Sequence, residues 1–220
     1  MSARPFDAVV FDLDGTLVES DGDIARAVNA MLVALGRAPR SRAQIRASIG
    51  HGARHLVECF LGGEDPALVD RGRELFTDAY AEAPVAETRV YPGIAVLLAE
   101  LAAADVAVAV ATNKPARLTE PVIRGTNLPA LGVRAWASAD ETGRRKPDPA
   151  VLALALDRLG RAALPPPRVA YVGDMAVDLE TADRFGAAGF QVSWGFAPCA
   201  DATRWTQDTT DLCRRLVGER

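Results

Sequence analysis

The sequence predicts an α/β protein in which a parallel sheet with helices on both faces is interrupted early by an all-helical insertion. Three observations carry this. The apolar runs Ala8-Val9-Val10, Val106–Ala111 and Val169–Val172 lack the alternation of a half-exposed strand and fit strands buried on both faces. Segments of helical period separate the later runs, and such alternation argues a parallel sheet with crossover helices. Between residues 18 and 88 the strand signal is missing and only helical spacing remains.

The first strand runs into Phe11-Asp12-Leu13-Asp14-Gly15-Thr16-Leu17. Side chains two apart on a strand point the same way, so Asp12 and Asp14 can share one site beyond its carboxyl end. Gly15 permits a sharp turn and close approach of a ligand to the backbone. Two carboxylates held together repel, and a bound cation is the usual remedy; an Asp-rich turn after an edge strand is the plainer alternative. Ile24, Val28, Met31, Leu32 and Leu35 then recur at helical spacing, and Gly36 is placed to end that helix. Further helical runs are predicted near 42–48, 52–61 and 66–82, broken by Gly50, Gly52, Gly62-Gly63 and Pro84. A helix over 93–104 follows, with Ile94, Leu97, Leu98 and Leu101 on one face, then a strand over 106–111 and a helix over 116–125. A strand near 133–138, a helix over 148–160, a stiff Pro165-Pro166-Pro167 connection and a strand over 169–173 come next. The remainder reads as a helix over 176–187, a strand over 190–192 and a short helix from about 203 to 217.

A chain of 220 residues suffices for one sizeable core with an inserted module. The net charge of −4 offers no electrostatic case for a nucleic-acid partner. Cys59, Cys199 and Cys213 show no close spacing, so a disulfide framework or zinc knuckle is not expected and a cytoplasmic setting is. The N-terminal apolar run is too short for a signal peptide, and no window is long enough to span a membrane. Lys114 and Lys146 are the only lysines among 25 basic residues, which makes each worth inspecting.

In open parallel sheets ligands bind outside the carboxyl ends of the strands, and three later strand ends carry polar groups. They are Thr112-Asn113, Lys146 in a loop that opens a helix, and Asp174 with Asp178 four residues on. Singly these are ordinary turn, capping or surface residues. Together, with Asp12-Leu13-Asp14-Gly15-Thr16, they resemble in order the four motifs of the haloacid-dehalogenase-like (HAD) phosphohydrolases, with Met175 where the fourth motif often has a serine.

The resemblance implies a Rossmann-like three-layer parallel-sheet core, residues 1–17 and 89–220, with an inserted all-helical cap domain, residues 18–88. It implies that Asp12 attacks phosphorus to form an aspartyl-phosphate and that Asp14 protonates the leaving alcohol, then activates water. Mg²⁺ would lie between Asp12, Asp174 and a phosphoryl oxygen, with the backbone carbonyl of Asp14 as a further ligand. Thr112 and the Asn113 backbone would hold phosphoryl oxygens, Lys146 would offset charge, and Asp178 would orient Lys146 or a metal-bound water. Asp14 favours phosphate esters, since dehalogenases of this superfamily lack its equivalent. The absence of lysine from residues 18–88 speaks against the imine-forming phosphonatases.

Within the insertion, Gly50-His51-Gly52-Ala53-Arg54 precedes a helix and exposes backbone N–H groups suited to an anion. It resembles the substrate-facing loop of the phosphoglycolate phosphatases, as do Thr112-Asn113-Lys114-Pro115 and Val192–Phe196. Gly50, His51, Gly52 and Arg54 are therefore expected to bind substrate. A glycine-rich hinge with solvated histidines, or a metal set of His51, His55 and Glu58, are the alternatives at this loop. Arg37, Arg40, Arg42 and Arg46 read as a solvated helix face. The expected function is hydrolysis of a small phosphorylated metabolite, 2-phosphoglycolate first. A sugar-phosphate phosphatase, a β-phosphoglucomutase-like enzyme, a phospho-aspartate receiver and a non-catalytic scaffold are the rivals.

Overall fold

In a computed structural model describing residues 4–62 and 65–218, β1 (Ala8–Phe11) runs through the middle of a six-stranded parallel sheet. β4 (Ala107–Thr112) and β6 (Val169–Gly173) flank it, in register at Ala8↔Ala107 and Ala8↔Val169. β5 (Ala135–Ser138) extends the sheet on one side, and β7 (Ala188–Val192) and β8 (Trp205–Thr206) on the other, in the order β5-β4-β1-β6-β7-β8. Successive residues of β1 enter opposite layers. Val9 and Phe11 pack with Leu97, Leu98, Val122 and Leu212, whereas Ala8 and Val10 pack with Val151, Leu152, Tyr171 and Ala182. That is why the strand sequences are apolar throughout. The first group comes from α5 (Ile94–Ala103), α6 (Ala116–Gly125) and α10 (Thr209–Val217), the second mainly from α8 (Ala150–Arg158) and α9 (Ala176–Phe185).

Between β2 (Val18–Glu19) and β3 (Arg89–Val90) lie α1 (Asp21–Ala34), α2 (Arg42–Arg46), α3 (Ala53–Leu61) and α4 (Pro66–Glu82). Among the described residues this stretch is helical, and its four helices bury Val28, Met31, Leu32, Ile45, Val57, Val69, Phe76 and Tyr80. A methyl group on Gly72 of α4 would overlap Leu61 and Val57 of α3, so the glycine sets how closely those helices approach. Ser41 and Gln44 form a capping box on α2, and Asp65 with Pro66 starts α4.

β2 and β3 pair antiparallel, Val18 with Val90 and Glu19 with Arg89, where the sequence showed no strand: two residues are too few for a period. Buried Asp23 braces this crossing, accepting hydrogen bonds from the Glu87 and Thr88 amides at 3.0 and 2.9 Å and from the Thr88 hydroxyl at 2.7 Å.

The tail corrects the expected helix over 203–217. Residues 205–206 form the sixth strand, and Asp208 caps α10, which begins only at Thr209. A short α7 (Ala139–Thr142) was not foreseen. Gly63, expected to help end α3, lies outside the described residues. No described helix is long and apolar enough to cross a membrane.

Candidate active site

The carboxyl ends of β1, β4 and β6 bring the expected groups together. Asp12 follows β1 and donates its backbone N–H to the Val172 carbonyl at 2.8 Å. Buried Lys146 places its Nζ 2.9 Å from Asp12 Oδ1 and 2.7 Å from Asp178 Oδ1. Asp12, Asp174 and Asp178 each offer a carboxylate oxygen within 4.8 Å of the others, and all three are buried. One ammonium against three carboxylates leaves an excess of buried negative charge. Burial pushes the Asp12 carboxyl up to about 6 against the pull of Lys146. Burial, then Asp178 and Asp12, push Asp174 well above the carboxylate range, although the Phe196 amide donates to its Oδ2 at 2.7 Å. On Lys146, burial alone would lower the pKa, but Asp12 and Asp178 outweigh it and raise it.

This donor set fits a hard divalent cation. It is all-oxygen, carries excess negative charge, and holds Asp12 Oδ1 close to the ammonium but outside hydrogen-bond geometry, so that oxygen keeps acceptor capacity. Gly15, at φ 83°, and Gly195 press against Asp174 so closely that a methyl group on either would overlap its carboxyl. The Asp14 carboxylate stands apart from the three, accepting from Ser20 Oγ at 2.5 Å and from Lys114 Nζ at 3.2 Å to each oxygen.

Thr112 is buried at the end of β4, where its Oγ1 accepts from the Lys114 amide at 3.2 Å. The Asn113 side chain does more than was expected of its backbone. Its Oδ1 accepts from the Lys146 amide at 2.8 Å and its Nδ2 donates to the Gly50 carbonyl at 3.3 Å, tying the lysine loop to the helical layer. Met175 contributes its amide to Asp178 Oδ2 at 3.0 Å, while a Cβ on Gly50 (φ 119°) would collide with its sulfur. The methionine thus serves packing against the helical layer where a serine would offer a hydroxyl.

The loop before α3 divides. Gly50 and Gly52 line a cavity of about 50 Å³ together with Asp12, Asp14, Thr112, Asn113 and Lys114, walled by Ile24, Ile49, Leu56, Phe76 and Leu118. His51 and Arg54 line an outer depression instead. Arg54, expected to meet substrate, has its guanidinium held by Glu58 at 3.2 Å and Asp70 at 2.7 Å on the outer face of α3 and α4. Exposed pairs of this kind contribute little. Arg54→Ala is therefore expected to change kcat/KM for phosphoglycolate and for p-nitrophenyl phosphate alike, by less than about threefold, in parallel steady-state assays. His51 is exposed, its ring centroid 5.0 Å from that of His55. The arginine run is also only partly solvated. Arg42 and Arg46 pair with buried Asp21 at 2.7 and 3.2 Å, and Arg46 reaches the Gly195 carbonyl at 2.8 Å.

Two residues of the cavity region had been given no role. Lys114, though flagged by the scarcity of lysine, was unassigned; Tyr80 of α4, whose hydroxyl accepts from Lys114 Nζ at 2.9 Å, gave no signal beyond its helical spacing.

The sequence model of the haloacid dehalogenase-like hydrolases matches residues 6–186. A phosphoglycolate phosphatase of Pseudomonas syringae pv. tomato is 37% identical over 194 residues, covering 86% of this chain and 70% of that protein. An N-acetylmuramic acid 6-phosphate phosphatase of Pseudomonas aeruginosa is 34% identical, covering 96% and 92%. Among solved structures, a candidate phosphoglycolate phosphatase from Lactobacillus delbrueckii subsp. bulgaricus superposes with a TM-score of 0.87 over 98% of this chain and all of that one; at 24% identity it speaks to the fold. With a family match across most of the chain and phosphatases among the relatives, this protein belongs to the haloacid dehalogenase-like hydrolases and is a phosphoric monoester hydrolase.

Proposed function

We propose that the protein is a cytoplasmic, Mg²⁺-dependent phosphatase that hydrolyses a small phosphorylated carboxylate, 2-phosphoglycolate in first place, through an aspartyl-phosphate. The observation that carries this is the buried Asp12–Lys146–Asp178–Asp174 group beside a cavity of about 50 Å³ with apolar walls, which also takes in Asp14. The phosphoglycolate phosphatase that is 37% identical to this chain supports the choice of substrate.

Asp12 and Asp174, with the backbone carbonyl of Asp14, would hold Mg²⁺, which when bound supplies positive charge for the phosphoryl oxygens. Asp12 acts as nucleophile, its carboxylate held by Lys146. Asp14, clear of the three-carboxylate group, gives its proton to the leaving oxygen and later takes one from water. Thr112 and Asn113 bind phosphoryl oxygens, and Asp178 keeps Lys146 in place at 2.7 Å. Gly50 and Gly52 bring the first turn of α3, which has no side-chain cap, to the cavity wall as donors for an anion. Residues 18–88 act as a cap over a core of 1–17 and 89–220; the helical run between the paired strands β2 and β3 supports this reading. The free cysteines Cys59, Cys199 and Cys213 suit a reducing compartment.

The Pseudomonas aeruginosa relative favours a second reading, a sugar-phosphate substrate. Phosphate release from 2-phosphoglycolate, N-acetylmuramic acid 6-phosphate and glucose 6-phosphate, with Mg²⁺ and with excess chelator, separates the two. The expected result is the highest kcat/KM for 2-phosphoglycolate and loss of activity in chelator. A higher value for the amino-sugar ester would overturn the substrate, and full activity in chelator the metal.

A further inference from the structure

We propose that Lys114 recognises the leaving group: its ammonium binds a carboxylate on the carbon next to the ester oxygen and so restricts the enzyme to phosphorylated hydroxy acids. The proposal rests on the small phosphorylated carboxylate read above as substrate.

Among the described residues lining the cavity, Lys114 is the one cation. Lys146 serves the carboxylates of the phosphoryl end and is not part of that lining. Lys114 is only 7% exposed, and the neighbouring walls are largely aliphatic or aromatic. A charge in such a place is retained only where anions meet it. Its contacts are Asp14 Oδ1 and Oδ2, both at 3.2 Å, and the Tyr80 hydroxyl at 2.9 Å, with the Tyr80 ring centroid 4.1 Å from Nζ. Two equal, long contacts to one carboxylate fit a single shared N–H. Tyr80 takes a second, and an ammonium has three, so one donor remains for a ligand.

Partner exchange gives the specificity. In serving the leaving oxygen, the Asp14 carboxyl gives up at least one of its two contacts with Lys114. The ammonium is then left short of acceptors in a site with little water to supply them. In 2-phosphoglycolate the carboxylate sits one carbon from the oxygen that Asp14 approaches, which brings it beside Lys114. A neutral alcohol leaves that shortage in place. The first turn of α3, brought to the cavity by Gly52 and Ala53, adds N–H donors for the same group.

The test compares 2-phosphoglycolate with 2-hydroxyethyl phosphate, which replaces the carboxylate by a hydroxymethyl group of similar size. A charge-assisted hydrogen bond to a buried group predicts that Lys114→Met lowers kcat/KM for 2-phosphoglycolate by about 10²-fold and for 2-hydroxyethyl phosphate by less than about tenfold. Equal losses on both would make Lys114 a positioning residue for Asp14 alone and overturn the proposal; so would no loss on either. A second measurement needs no variant. With p-nitrophenyl phosphate as reporter, glycolate is expected to compete with substrate in the wild-type enzyme where ethylene glycol at the same concentration does not. Glycolate no better than ethylene glycol would overturn the proposal even where Lys114→Met fails to fold. Failure of the underlying reading looks different: wild type would prefer another ester in the substrate panel, whereas Lys114 is judged on each ester against wild type.

Discussion

Asp12→Asn is expected to abolish phosphate release, lowering kcat by on the order of 10⁴-fold or more, as for loss of a covalent nucleophile elsewhere. Asparagine keeps the shape of the side chain and removes both its charge and its nucleophilic oxygen. The same change relieves repulsion in the metal-free protein, since Asp12 lies within 4.8 Å of the carboxylates of Asp174 and Asp178 and burial already disfavours its charge. The variant should therefore melt no lower than wild type in metal-free buffer while its activity is lost. Rapid-quench detection of a phosphorylated enzyme in wild type, absent from Asp12→Asn, completes the test. Retention of most activity by the variant would remove Asp12 as nucleophile.

Lys146→Ala should lower kcat by about 10²–10³-fold with a much smaller change in KM, because a charge facing the transferring group acts mainly in the transition state. Unlike the change at Asp12, this one should also destabilise the protein. Lys146 is buried between Asp12 at 2.9 Å and Asp178 at 2.7 Å, and its removal leaves two carboxylates without their cation. Breaking a buried pair in this way costs about 3–5 kcal/mol, to be read in thermal or denaturant unfolding. Activity should be measured at saturating Mg²⁺, well below the variant's melting temperature. A rise in KM with kcat unchanged would make Lys146 a ground-state binding residue instead.

The sheet and much of the charged cluster at its rim were legible in the sequence for a physical reason. Strands buried on both faces leave unbroken apolar runs, and the residue after each run falls on the rim where ligands bind. The positions of Asp12, Thr112 and Asp174 on that rim follow from it, whereas Lys146 and Asp178 stand out only through the resemblance to the family's motifs. The surroundings of Asp14 were harder to read because they are assembled by tertiary contact. Tyr80 comes from α4 and Lys114 from the end of β4, and nothing local marks them as partners. The partner of Arg54 is hidden for the same reason: its sequence position suits an anion, and Asp70, which it meets, lies sixteen residues on. β8 and β2 are two residues each, below the length at which any period shows.

The pairing of β2 with β3 bears on how such an enzyme changes its diet over evolutionary time. The chain enters and leaves the helical stretch at hydrogen-bonded neighbours, Val18 beside Val90 and Glu19 beside Arg89, in a two-stranded ladder separate from the six-stranded sheet. Opposed residues of an antiparallel pair stand only about 4.5–5.5 Å apart, so a turn of two residues would span the gap that 69 residues, 20 to 88, now fill. Whatever is spliced between those points need only match a doorway one peptide wide. The reacting carboxylates and Lys146 lie on the far side of that doorway, in segments whose order along the sheet does not depend on it. On the proposed role of residues 18–88 as a cap, modules of different length and shape could be exchanged there by recombination without disturbing the order of β1, β4 and β6.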